Sequence, residues 1–126
     1  MKRFAAIALV RDGKVLLGRR SAARAHYPGV WDFPGGHCEA GESFEAAMLR
    51  EADEELGIRP TAWREVTRVT QAGSFELVLF AVNAWEGTAQ NSAPNEHDAL
   101  EWLSLDEARA LPLADAAYSR LLDMLV

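Results

Sequence analysis

Residues 36–58, GHCEAGESFEAAMLREADEELGI, are the stretch from which the rest of the chain can be interpreted. Glu51, Glu54 and Glu55 stand at i, i+3 and i+4, so a helix would carry all three on one face. Like charges at this spacing destabilise a helix by about 0.2–0.5 kcal/mol per pair. A divalent cation would reverse the sign of that interaction. The pattern therefore predicts a helix whose acidic face binds a metal ion.

The limits of this helix can be predicted from its capping residues. Ser43 is a plausible N-cap, and the helix is expected to run to about Leu56. Gly57 would end it, and Pro60 prevents its continuation. The three glutamates lie at the edge of an apolar stripe, where carboxylates lose hydration, whereas Asp53 points away. The stripe consists of Phe44, Met48, Leu49, Ala52 and Leu56.

The remaining segments predict a layered domain of mixed strands and two or three helices. An Asp12-Gly13 turn is expected to join the first two strands as a pair, and residues 86–98 to form a polar loop. Ser104, with Glu107 three residues later, predicts a capping box at the start of a second helix. A last helix would cover about residues 115–125. Strands are predicted at 3–11, 14–20, 31–33, 61–71, 75–83 and 100–103.

Composition restricts the classes of partner. The chain has 126 residues, expected to form one domain over residues 1–126, and a net charge of −6. That charge argues against a nucleic-acid polymer or an anionic membrane, although a bound metal would allow a small phosphorylated substrate. The one cysteine, Cys38, excludes an internal disulfide and is expected to be a small packed side chain. No apolar run approaches the about 18 residues of a membrane span, and the N-terminus lacks a secretory signal, so a cytoplasmic protein is expected.

The same stretch also resembles the signature of a known family. It reads as the Nudix box, G-x5-E-x7-R-E-U-x-E-E-x-G-U, where U is apolar, and the preceding Phe33-Pro34-Gly35 is typical of that family. The resemblance implies an α/β (α+β) fold, a Nudix-type mixed sheet sandwiched between helices. It also implies hydrolysis of a phosphoric anhydride with Mg²⁺, or alternatively Mn²⁺, as cofactor. The defined positions are filled by Gly36, Glu42, Arg50, Glu51, Ala52, Glu54, Glu55, Gly57 and Ile58.

The resemblance assigns roles within the box. Glu54 and Glu55 match the principal metal-ligating pair, and Glu51 matches a position that either ligates metal or acts as the general base. Arg50 matches the arginine that orients the glutamates, and its place four residues before Glu54 permits that contact. Gly35 matches a glycine whose carbonyl ligates metal. The first box glutamate, at residue 42, matches a structural group or an outer metal contact.

Two features resemble the MutT-like branch, which cleaves nucleoside triphosphates to monophosphates and pyrophosphate. Glu96 stands six residues before Trp102, at the spacing of a loop glutamate that approaches the metal; an ordinary loop glutamate is the alternative. The neighbouring His97 and Asp98 are expected to be solvated. Residues 111–115, LPLAD, resemble a purine-reading segment in which Asp115 replaces an asparagine. Because an ionised aspartate cannot donate a hydrogen bond, guanine specificity does not follow.

Further residues are candidates for substrate contact. Arg20 and Arg24 could bind phosphates, and Phe75 could stack on a base, although surface charge and core packing are the alternatives. The stretch from Arg20 to Gly36 partly resembles a motif of coenzyme A-cleaving relatives. ADP-ribose and nucleotide sugars remain alternative substrates. A nucleotide-sensing module without turnover is a further alternative, which the intact box disfavours.

Overall fold

The computed structural model describes residues 2–22, 28–114 and 118–125. The strands are β1 (Lys2–Arg11), β2 (Lys14–Arg20), β3 (Trp31–Asp32), β4 (Gly35–His37), β5 (Arg59–Gln71), β6 (Phe75–Glu86) and β7 (His97–Ser104). The helices are α1 (Phe44–Glu51), a π-helical turn (Ala52–Leu56), α2 (Leu105–Arg109) and α3 (Tyr118–Asp123). No helix among these residues is long and apolar enough to cross a membrane.

The strands form one mixed sheet. β1 pairs in parallel with β6 along most of its length and antiparallel with the short β4, while β5 and β6 form a long antiparallel hairpin. β2 pairs antiparallel with β3 and β7. The predicted pairing of the first two strands is confirmed at the turn, through Val10 with Val15 and Arg11 with Lys14. Further from the turn, β1 pairs with β4 and β6 instead, so the hairpin opens and connects two parts of the sheet.

Side chains on β1 alternate between the two faces, as the two-residue period of a strand requires. Ile7 and Leu9 pack under α1 with Met48, whereas Ala6 and Ala8 pack towards α2 and α3 with Leu122. Both clusters consist of buried apolar residues. The predicted sheet sandwiched between helices is therefore confirmed.

Several predicted boundaries need correction. β4 was not predicted, because Gly35–His37 has no apolar pattern and is held by its pairing with Phe4, Ala5 and Ala6. β7 begins at His97 and is longer than predicted, since it pairs with β2 as far as Arg20. The capping box is confirmed: Ser104 Oγ accepts from the amide of Glu107 at 3.1 Å, and the Glu107 carboxylate accepts from the amide of Ser104 at 2.9 Å. The last helix is observed at residues 118–123, and residues 115–117 lie outside the described part.

The predicted acidic helix is only partly α-helical. α1 ends at Glu51, and the next five residues form a π-helical turn, which ends at Gly57 with a left-handed φ of 66°. The loop after β6 closes this turn, because the amides of Gln90 and Ser92 donate to the carbonyls of Leu56 and Glu55 at 3.0 and 2.9 Å. Because π-helical turns are uncommon and concentrate at functional sites, this one directs attention to the glutamates it carries.

Candidate active site

The three glutamates of the box occupy different environments. Glu55 lies inside the protein with 4% of its surface exposed, whereas the side chain of Glu54 is 55% exposed. The Glu51 side chain is intermediate, at 13%. The expectation that all three lie at the edge of the core is therefore wrong for Glu54. The prediction assumed a regular α-helix, and the wider π-helical turn changes the directions of the residues it contains.

Glu55 is a buried carboxylate for which the described part of the chain provides no ion-pair partner. Its Oε2 accepts a 2.7 Å hydrogen bond from the amide of Gly35, and no ion pair involves it among the described residues. Burial, together with the negative charges of Glu51, Glu96 and Asp32, raises the pKa of Glu55 to about 8, although the hydrogen bond from Gly35 opposes the shift. An unpaired buried carboxylate is costly when ionised. No positive charge among the described residues therefore neutralises Glu55 when it is ionised.

Arg50 donates hydrogen bonds to the other glutamates of the box. Its Nε and Nη2 donate to the two carboxylate oxygens of Glu42, each at 2.9 Å, and Nη1 donates to Glu51 at 2.9 Å and Glu54 at 3.2 Å. Nη2 also donates to the carbonyl of His37. The hydrogen bonds from Arg50 lower the pKa of Glu42 to about 2. By contrast, burial raises the pKa of Glu51, although Arg50 opposes the shift.

Two consecutive glycines allow β4 to lie close to β1 and to the acidic helix. Gly35 has a φ of +145°, and a Cβ built there would lie 2.1 Å from the carbonyl oxygen of Ala5. A Cβ on Gly36 would lie 2.6 Å from Oε1 of Glu51. Only glycine fits either position without movement of its neighbours. Gly36 is therefore in direct contact with a glutamate of the box.

A cavity of about 670 Å³ lies beside the box. Its apolar wall includes Phe4, Phe75 and Leu77, with the rings of Phe4 and Phe75 in a T-shaped arrangement 6.3 Å apart. Arg24 and Asp115 lie outside the described residues. All the other predicted site residues line this cavity: Arg20, Gly35, Arg50, Glu51, Glu54, Glu55, Phe75 and Glu96.

Sequence reasoning missed two polar residues that line the same cavity. Asp32 accepts from Nη1 of Arg20 at 3.0 Å and lies 2.6 Å from Nε2 of His97. His97 is 4% exposed, so the expectation that it is solvated is wrong, whereas Asp98 is exposed and pairs with Arg19. The sequence gives little indication of this burial because the partners are 65 positions apart. The one available signal is a charged residue between two aromatic ones, Trp31-Asp32-Phe33.

Comparison with known proteins agrees with this geometry. The NUDIX domain family model matches residues 1–125. The chain belongs to the Nudix family. It is a Nudix hydrolase of the MutT-like type, as the resemblances of the box, of Glu96 and of residues 111–115 implied.

Relatives of this Nudix hydrolase match it along most of its length. The CTP pyrophosphohydrolase of Escherichia coli K12 is 39% identical in an alignment 121 residues long, which covers 92% of this chain and 87% of that protein. The 8-oxo-dGTP diphosphatase of the same organism is 32% identical in an alignment 105 residues long, which covers 79% of this chain and 78% of that protein. The crystal structure of a MutT NUDIX hydrolase from Burkholderia pseudomallei superposes with a TM-score of 0.85 at 31% identity, covering 99% of this chain and 98% of that one.

The donor set of this Nudix hydrolase suits a hard divalent cation, the metal class on which the family generally depends. Carboxylate and carbonyl oxygens are the ligands that Mg²⁺ prefers, and the unpaired Glu55 would gain the cation that it lacks. In the described ranges no three acidic, histidine or cysteine side chains are arranged as ligands around one point. Glu51 and Glu54 are instead hydrogen-bonded to Arg50. A cation would therefore compete with Arg50 for these two carboxylates.

Proposed function

We propose that the protein is a Mg²⁺-dependent pyrophosphohydrolase of nucleoside triphosphates, which releases a nucleoside monophosphate and pyrophosphate. The observation that carries this proposal is the composition of one cavity. One part is lined by the carboxylates of Glu51, Glu54, Glu55 and Glu96, and another by aromatic and aliphatic side chains. A nucleotide has the matching halves, a phosphate chain that requires a metal and a base that packs on apolar surface.

We assign the metal to Glu54, Glu55, Glu96 and the carbonyl of Gly35, with Glu51 as either a further ligand or the base. When bound, Mg²⁺ would neutralise the phosphate oxygens and stabilise the leaving pyrophosphate. A base among the carboxylates would accept a proton from the attacking water. A side chain that is only 13% exposed and a raised pKa favour Glu51 for that step. Arg50 would orient Glu51 and Glu54 through the hydrogen bonds described above.

The remaining assignments concern the substrate. We propose that Arg20 lies close to the phosphates and that Phe75 contacts the base, since both line the cavity. Arg24 and Asp115 remain proposals from the sequence. The relatives that are named for CTP and for 8-oxo-dGTP support a nucleoside triphosphate and place these two nucleotides first in a screen. Coenzyme A, ADP-ribose and nucleotide sugars complete the screen, because selectivity depends on loops more than on the shared box.

The test is a Mg²⁺-dependent hydrolysis screen with products identified by phosphorus NMR in water enriched in oxygen-18. We expect monophosphate and pyrophosphate, with the label showing which phosphorus the water attacked. Glu51→Gln is expected to lower kcat by about 100-fold or more while retaining Mn²⁺ binding, whereas Glu55→Gln is expected to lose Mn²⁺ binding. Glu86→Gln, which alters only an exposed ion pair with Arg59, is the matched control.

Two outcomes would contradict the proposal. Binding of nucleotides without turnover of any compound in the screen would identify a sensing module instead of an enzyme. Turnover that is equal in wild type, Glu51→Gln and Glu55→Gln would remove the box acids from the mechanism.

A further inference from the structure

His97 directly follows the cavity residue Glu96 and is enclosed on all but 4% of its surface. Its ring packs on Gly18 of β2: a Cβ at that glycine would lie 2.4 Å from Cδ2 of the ring. Any other residue at position 18 would therefore have to displace the imidazole. Glycine at position 18 therefore provides the space that the imidazole of His97 occupies.

A hydrogen-bonded chain holds the ring in that space. Nε2 of His97 lies 2.6 Å from Oδ1 of Asp32, and Oδ2 of the same carboxylate accepts from Arg20 at 3.0 Å. Asp32 lies opposite Gly18 in the β2–β3 pairing, so the two contacts of the ring come from adjacent strands. Buried hydrogen bonds to a charged group are short and directional, and they fix the side chains that make them.

Hydrogen bonds also fix the backbone on either side of Glu96. Its carbonyl accepts from the amide of Ser21 at 3.0 Å, and its amide donates to the carbonyl of Ala93 at 2.9 Å. The carbonyl of His97 accepts from the side chain of Asn91 at 2.7 Å. The loop that carries Glu96 is therefore attached to β2 through its main chain and to β3 through the imidazole of His97.

We propose that His97 is a positioning residue, whose link to Asp32 fixes the backbone that directs Glu96 into the cavity. This inference rests on the proposed function, in which Glu96 joins the metal-binding acids. Residues that orient a ligand through such contacts typically affect metal affinity or activity by about 10- to 100-fold. His97 itself touches neither metal nor substrate in this assignment; it acts through its neighbour.

Two substitutions at position 97 separate positioning from packing. Glutamine can place an amide nitrogen near the position of Nε2 and reach Asp32, whereas asparagine is one methylene shorter and cannot. We expect His97→Asn to raise the Kd for Mn²⁺ alone, measured by calorimetry, and to lower kcat, each by about 10-fold. His97→Gln should recover most of both losses. Asp98→Asn removes the charge that pairs with Arg19 at the surface and serves as the control.

A double-mutant cycle with Glu96→Gln gives the second readout. If His97 acts through Glu96, the double variant should be no worse than Glu96→Gln alone, because the same contribution is lost only once. Asn91→Ala removes the hydrogen bond from the Asn91 side chain to the carbonyl of His97. It allows a cycle with Glu96→Gln even if His97→Asn does not fold. Coupling of either variant to Glu96→Gln supports the proposal.

Three results would overturn it: losses that multiply in the double variants, wild-type Mn²⁺ affinity in His97→Asn, or equal defects in His97→Asn and His97→Gln. Wild-type Mn²⁺ affinity and kcat in Glu96→Gln would also overturn it. In that last case, continued dependence on Glu51 and Glu55 would leave the proposed function in place, so the two failures can be distinguished.

Discussion

The backbone amide of Gly35 donates a 2.7 Å hydrogen bond to Oε2 of Glu55. This contact joins β4 to the π-helical turn and brings the one deeply buried box carboxylate beside the glycine whose carbonyl we assign to the metal. It also means that the charge of Glu55 is stabilised by a single described hydrogen bond and otherwise opposed by burial and by neighbouring acids. The properties of the metal-free protein should therefore depend strongly on this residue.

The first prediction concerns stability and pH in the absence of metal. Burial and neighbouring negative charges raise the pKa of Glu55 from its ordinary 4.5 to about 8, so the folded state holds this proton more tightly than the unfolded state. The stabilisation is fully present below about pH 4.5 and is lost as pH rises through about 8. Since one pKa unit corresponds to about 1.4 kcal/mol, the loss should amount to several kcal/mol.

Urea unfolding with a chelator present, from about pH 5 to about pH 9, would measure this change. Glu55→Gln, which keeps the shape and removes the titration, should flatten most of the slope. Glu54→Gln is the matched control, since its side chain is 55% exposed. An equally steep decline in Glu55→Gln would mean that another group causes it.

The second prediction concerns proton release when metal binds. At pH 7 Glu55 is mostly protonated, and a divalent cation requires the ionised form, so Mn²⁺ binding should release about one proton. Calorimetry in buffers of different ionisation enthalpy measures this number directly. It should fall towards zero at about pH 9, where the group is already ionised. Release that does not vary with pH would place the metal away from Glu55.

The third prediction contrasts two adjacent glycines. Gly35→Ala combines a φ of +145° with a backbone contact at 2.1 Å, and we expect it to destabilise the fold by about 3 kcal/mol or more. Gly36→Ala meets only the end of the Glu51 side chain, which can move. It should cost about 1 kcal/mol of stability but lower kcat by about 100-fold, because it displaces a proposed catalytic group.

Thermal unfolding and steady-state kinetics of the two variants provide the comparison. Gly73→Ala is a useful reference, since its φ is +75° and a Cβ there would meet nothing within 4 Å. The loss of stability in Gly73→Ala would measure the cost of a positive φ without a steric clash. Activity of Gly36→Ala at the wild-type level would contradict the assigned role of Glu51.

The parts of the fold that follow from local chemistry were predictable. The Asp12-Gly13 turn, the capping box at Ser104 and the end of the acidic helix at Gly57 each depend on residues close in sequence, and all are confirmed. β4 and the extension of β7 were missed because pairing with distant strands determines them. The π-helical turn was also missed, since the apolar spacing from Phe44 to Leu56 fits a regular α-helix.

In the candidate site, too, features that depend on residues close in sequence were predictable, and those that depend on distant strands were not. Glu51, Glu54 and Glu55 could be found because their spacing is unfavourable without a cation, and all three line the cavity. The depth of Glu55 could not be predicted, because it depends on how β4 approaches the helix. The burial of His97 was missed for a related reason. Its space exists only because Gly18 and Asp32 are brought together by strand pairing.

The last prediction concerns Arg50, whose guanidinium hydrogen-bonds Glu42 through two nitrogens and also reaches Glu51 and Glu54. Lysine keeps the charge but cannot reproduce this planar fork. Arg50→Lys should therefore lower the free energy of unfolding by about 1–3 kcal/mol, since hydrogen bonds to charged groups are lost. It should also lower kcat more than it raises KM, because the acids lose their orientation and the substrate contacts remain.

Arg59→Lys is the matched control, because Arg59 makes one exposed ion pair with Glu86, with side chains 72% and 62% exposed. Exposed pairs contribute about 0–1 kcal/mol, so this variant should be close to wild type in stability and activity. Urea unfolding and steady-state kinetics on both proteins would make the comparison. If the two substitutions had equal effects, the charge of Arg50 rather than its hydrogen-bonding geometry would be what the acidic cluster requires.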